Sequence, residues 1–137
     1  MKMKLLVAVL ILSVAFVSAA FTAADIVRFQ RTLEKCRTKN DLSDEVLERV
    51  LNGEIVDEPD FNCFAACLLQ NYELLREDGS FNVELAVSKI PQDADFAQPL
   101  TDAIKTCSAR RGTDNCKTAH LLFVCMYEKD VPNLLFG

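Results

Sequence analysis

One histidine in 137 residues, His120, leaves little from which to build acid–base or nucleophilic chemistry. It sits in Lys117-Thr118-Ala119-His120-Leu121, with no aspartate beside it of the kind a phospholipase histidine needs. The chain is therefore expected not to be an enzyme. Zinc is as poorly served, because the one close cysteine pair, Cys63 and Cys67, has no histidine nearby. No metal and no cofactor are expected. Period-two alternation, hairpin turns, internal repeats and low-complexity tracts are all missing, which argues against strands.

Excess positive charge is also missing. Fifteen basic residues face twenty acidic ones, and loss of Lys2 and Lys4 with a leader takes the net charge from −5 to about −7. Nucleic acid and anionic membranes are poor partners for such a surface. After the N-terminal run from Leu5 to Val17 no apolar stretch is long enough to span a bilayer, and that run is itself too short. With Lys2 and Lys4 before it and Ser18, Ala19 and Ala20 after it, it reads as a secretory signal peptide over residues 1–19, leaving a helical domain over 20–137. Cleavage after Ala20 fits nearly as well.

What is present is cysteine: Cys36, Cys63, Cys67, Cys107, Cys116 and Cys125. An even count in a small secreted chain implies a disulfide framework, with fifteen possible pairings for six cysteines. On a helix Cys63 and Cys67 lie about 5–6 Å apart at Cβ, further than a bridge allows, so each must bond outward. Twelve pairings remain open.

The rest of the chain reads as six helices around that segment. The first spans Ala24 to Lys39, with Ile26, Phe29, Leu33 and Cys36 on one face and Thr22 and Asp25 as a capping pair. Ser43 caps a second, bearing Val46, Leu47, Val50 and Leu51, with Gly53 at its end. Glu54 to Glu58 reads as a solvated acidic connector. Pro59 opens the third helix, which runs through Cys63 and Cys67 to about Asp78, where Gly79 stops it. A short fourth helix carries Val83, Ala86, Val87 and Ile90 up to Pro91. The fifth carries Phe96, Leu100, Ala103, Ile104 and Cys107 to near Arg111, with Pro99 in its first turn. The sixth, Asn115 to Glu128, is apolar nearly all round and is expected to be buried, with Cys116 and Cys125 on opposite sides. Val131-Pro132 breaks it, and Asn133 to Phe136 forms an apolar tail.

The spacing Cys36-x26-Cys63-x3-Cys67-x39-Cys107-x8-Cys116-x8-Cys125 over six helices resembles the insect odorant-binding protein family of pheromone and general odorant binders. The resemblance covers essentially the whole chain after the leader. It implies an all-α, compact six-helix disulfide-linked domain enclosing an apolar cavity, and the pairing Cys36–Cys67, Cys63–Cys116 and Cys107–Cys125. It also implies a secreted, extracellular carrier of small hydrophobic ligands such as odorants, pheromones or fatty-acid-like molecules. Expected partners are that ligand and a membrane chemoreceptor, with no stable membrane insertion and a monomer or weak homodimer.

Candidates for the cavity wall are Ile26, Phe29 and Leu33 on the first helix, and Phe64, Leu68, Tyr72 and Leu75 on the third. Ala86, Val87, Ile104, Leu122 and Phe123 complete it from the fourth, fifth and sixth. Each of these side chains can equally be core packing. Tyr72, Tyr127 and His120 are candidate hydrogen-bonding groups for a ligand head, and Leu134, Leu135 and Phe136 a candidate lid. The competing class is a secreted interaction protein or a membrane-active one of saposin type, whose six cysteines are spaced differently.

Overall fold

The structure, a computed structural model, describes residues 22–136, apart from the Phe136 side chain. The expected signal peptide lies outside these residues. Seven helices and no strand occur among them: α1 Ala23–Lys39, α2 Asp44–Leu51, α3 Pro59–Asn71, α4 Val83–Ser88, α5 Ala97–Cys107, α6 Asn115–Glu128 and α7 Val131–Phe136. None is long and apolar enough to cross a membrane.

The chain divides into two compact units after Lys35. In the first, residues 23–35 form the N-terminal part of α1 and Thr22 precedes it. The Asp25 carboxylate accepts from Thr22 N at 2.9 Å and Thr22 Oγ1 accepts from Asp25 N at 3.2 Å, the expected reciprocal cap.

The second unit starts at Cys36. Ser43 Oγ caps α2 by accepting from Val46 N, and the positive φ of Gly53, 89°, carries the chain away from that helix. The connector that follows is more than solvated loop, since Val56 is 1% exposed. Pro59 opens α3 as expected, but the helix ends at Asn71 rather than near Asp78. Glu73 takes a φ of 62°, and Leu74 N and Leu75 N both donate to Leu69 O. The chain then folds back, so that Leu75 and Phe81 form an isolated antiparallel bridge.

Gly79 closes that turn instead of stopping a helix. Its φ is 86°, and a Cβ there would lie 3.0 Å from Arg111 Nη2 and 3.1 Å from Asn115 Oδ1. Arg111 Nη2 donates to Asp78 O at 2.6 Å and Asn115 Nδ2 to Glu77 O at 3.4 Å, tying the turn to the entry of α6.

Asn82 and Asp114 cap α4 and α6 with their side-chain oxygens. Pro99 falls in the first turn of α5, which ends at Cys107, short of Arg111. The seventh helix corrects the expected broken tail. Asp130, at φ 59°, makes the break, and Pro132 occupies the first turn of α7, where its missing N–H costs no hydrogen bond.

α6 is the hub. It packs most extensively on α3 and also touches α5 and α7; α5 in turn touches α4 and α7. The bridges are Cys36–Cys67, Cys63–Cys116 and Cys107–Cys125, the pairing the family resemblance implied. They pin α6 to α3 at one end and to α5 at the other. The expectation that α6 is buried all round is corrected: Thr118, Ala119 and Cys125 are buried, whereas Leu121, Leu122, Phe123 and Val124 are each half-buried.

Candidate functional site

The facing sides of α3 and α6 carry a row of rings. Phe61 and Phe64 lie 6.2 Å apart at their centroids, Phe61 and Phe123 5.8 Å apart edge to face, and Phe123 and Tyr127 5.1 Å apart. Three of the four were expected at the site; Phe61, which joins them, was not. Its signal was in the sequence, because Phe61 and Leu68 are seven residues apart and so share a helical face.

Several expected wall residues of the second unit fall in other clusters. Ala86, Val87 and Ile104 pack in a second cluster around Ile90 and Ala97, together with Phe96, Leu100 and Met126. Leu75 is buried with Ala66 and Ala119. Tyr72 is the C-cap of α3, so neither Tyr72 nor Leu75 continues the helical stripe on which it was placed. Leu68 and Leu122 are half-buried on α3 and α6. In the first unit, Ile26 and Phe29 are exposed and Leu33 is half-buried. On α7, Val131 is buried while Leu134 and Leu135 are exposed, and the Phe136 side chain lies outside the described residues.

A depression of about 530 Å³ lies beside the turn after α3, lined by Gln70, Glu73, Leu75, Arg76, Glu77 and Asn82. Its charged and amide lining offers a hydrophobic molecule little apolar surface to bury.

The polar end of the α3–α6 contact is built on Asp57, from the connector. Its Oδ1 accepts from Asn62 Nδ2 at 2.8 Å and its Oδ2 from Lys117 Nζ at 3.0 Å, while His120 Nε2 stands 3.7 Å from Oδ2. The fold thus supplies in space the aspartate that the residues flanking His120 lack. Sequence reasoning missed Asp57 and Asn62, the one for its acidic surroundings and the other for its place among aromatic and cysteine neighbours. An amide inside a helix whose other faces are apolar was the available clue.

The hydrogen bond from Asn62, then that from Lys117, holds the Asp57 carboxyl below its ordinary value of 3.8. Asp78 is lowered by its hydrogen bonds from Ser80, and Glu128 by the hydrogen bond from Arg110 at 2.7 Å. Since each folded-state value is depressed, these groups stabilise the fold above the unfolded value, and the contribution disappears as pH falls through the lower folded one. The melting temperature is expected to hold between pH 7 and about pH 5 and to drop below about pH 4. Asp57→Asn should melt lower than wild type at pH 7, with the two curves converging near pH 2; parallel curves throughout would show that Asp57 has no linked role.

The PBP/GOBP family model matches residues 18–129. The chain belongs to the insect odorant-binding protein family. General odorant-binding protein 72 of Anopheles gambiae is 34% identical over 105 residues, covering 74% of this chain and 85% of that one. Two solved structures show the same fold at low identity. Odorant Binding Protein 7 of Anopheles gambiae, with four disulfide bridges and in complex with an azo compound, has a TM-score of 0.69 at 20% identity, covering 85% of this chain and 94% of that one. A fatty acid binding protein from the oral disk of the blowfly Phormia regina has a TM-score of 0.63 at 18% identity, covering 82% and 96%. Odorant-binding proteins bind small ligands and are not enzymes. On that ground the expectation of no catalysis holds, and this odorant-binding protein is a small-ligand carrier.

Proposed function

We propose that this odorant-binding protein is secreted and carries a small hydrophobic molecule, an odorant, pheromone or fatty-acid-like compound, through aqueous lymph to a membrane chemoreceptor, as a monomer or weak homodimer. The observation that carries this reading is the α3–α6 contact. Phe123 and Tyr127 keep accessible apolar surface there, and Leu68 and Leu122 on the same two helices are also half-buried, although α6 is the hub of the domain and is held by two bridges. The half-buried Phe123 and Tyr127 rings leave apolar surface that a ligand can cover. Binding then draws on apolar burial, at about 25 cal/mol per Å² before ordering costs. Phe64 completes the proposed wall, and Leu135 and Phe136 are its proposed lid.

The oxidised protein is expected to take up a fluorescent hydrophobic probe saturably, and to release it to long-chain alcohols, esters or fatty acids in competition. Reduction of the bridges should abolish uptake. A correctly oxidised protein that takes up no probe would overturn the carrier reading.

A further inference from the structure

Among the described residues, two buried side-chain atoms have no hydrogen-bond partner, Asn62 Oδ1 and His120 Nδ1. Asn62 is 5% exposed and the His120 side chain 11%. One belongs to α3 and the other to α6, and their opposite polar ends meet the same Asp57 carboxylate.

That shared carboxylate determines what the two orphaned atoms are. An ionised carboxylate only accepts, so Asn62 must turn its NH₂ to Asp57 and its oxygen away. His120 Nε2 faces Asp57 Oδ2 at 3.7 Å, and with the ring proton on that nitrogen Nδ1 presents a bare lone pair. The Asn62 and Lys117 hydrogen bonds that favour ionised Asp57 fix the Asn62 orientation, and the carboxylate favours the Nε2–H form of the ring facing it. Both orphaned atoms are therefore acceptors. A buried acceptor is penalised until a donor reaches it.

We propose that Asn62 and His120 form the head-group anchor of the carrier site and select hydrophobic ligands that end in a hydrogen-bond donor, alcohols and phenols, over neutral acceptor-only heads such as ethers, ketones and esters. This rests on the carrier reading above. The physical reason is a mismatch of lone pairs: a hydroxyl can donate to either acceptor, whereas an ether brings only further lone pairs to it. The aromatic row on the same two helices, Phe61, Phe64 and Phe123, is proposed to take the hydrocarbon part.

The test compares two isomers of equal size, dodecanol and methyl undecyl ether, as competitors for N-phenylnaphthylamine bound to the oxidised protein. Dodecanol is expected to compete about tenfold more strongly. Asn62→Leu should bring that ratio to about one, each competitor being measured against the variant's own probe affinity, and His120→Phe should reduce it part-way. If the probe binds and wild type treats the isomers alike, the anchor is wrong and the carrier reading stands. If wild type binds no probe, both fail. Preference for the alcohol that survives in both variants would place donor selection elsewhere and overturn the assignment. The wild-type isomer ratio and His120→Phe remain decisive even if Asn62→Leu does not fold.

Discussion

Replacing Cys63 and Cys116 together by alanine is expected to cost about 4 kcal/mol, because that bridge closes the longest loop of the three, 53 residues. The same loop-entropy reasoning gives about 3.5–4 kcal/mol for Cys36–Cys67, separated by 31 residues, and about 3 kcal/mol for Cys107–Cys125, separated by 18. Total stabilities of domains this size run to about 5–15 kcal/mol. One bridge is therefore a large share of the whole, and full reduction should leave no cooperative fold at 37 °C.

The three loops overlap in series, so the bridges form a single chain of crosslinks from the end of α1 through α3 and α6 to α5. Thermal melting followed by circular dichroism, with and without reductant, reads the effect directly. A reduced protein melting within a few degrees of the oxidised one would show that the apolar clusters suffice alone. Cys36, Cys107 and Cys125 are 0% exposed, which makes alanine the better replacement there; serine would add a buried hydroxyl and confuse loss of the bridge with an unpaired polar group.

The helical architecture was legible because it rests on local signals. Period, caps and an outward-bonding cysteine pair place α1 to α6 with little reference to tertiary structure. Helix ends were less legible. The end of α3 depends on Glu73 adopting a positive φ and on a turn clasped by Arg111 and Asn115, which are more than thirty residues away in sequence. Gly79 signalled a special backbone but not which kind. Pro132 was read as a breaker because a proline after a helix usually is one, whereas here the break precedes it at Asp130.

The site divides in the same way. Phe64, Phe123 and Tyr127 follow from helical faces, while Asp57 enters from a connector whose composition says only that it is acidic. Its contacts with Asn62, Lys117 and His120 span five to more than sixty residues and leave no periodic trace. Carboxylates in connectors are mostly solvated. What distinguished this one was its neighbour Val56, whose burial brings the connector onto the domain.

Phe61 and Phe123 touch each other, yet alanine substitutions are expected to separate them. Phe61 is 7% exposed and bounded by Phe64 on one side and Phe123 on the other, so Phe61→Ala removes a core ring and should cost about 3–5 kcal/mol in denaturant unfolding. Phe123 is half-buried, and its truncation forfeits only the covered part, about 1–2 kcal/mol. Its exposed part is what a ligand would cover, so Phe123→Ala should weaken probe binding about tenfold in protein that is still folded. Stability and affinity thus move in opposite order across one ring contact. If Phe123→Ala costs as much stability as Phe61→Ala and leaves probe affinity unchanged, the aromatic row is core packing, and the ligand must bury its chain against some other part of the domain.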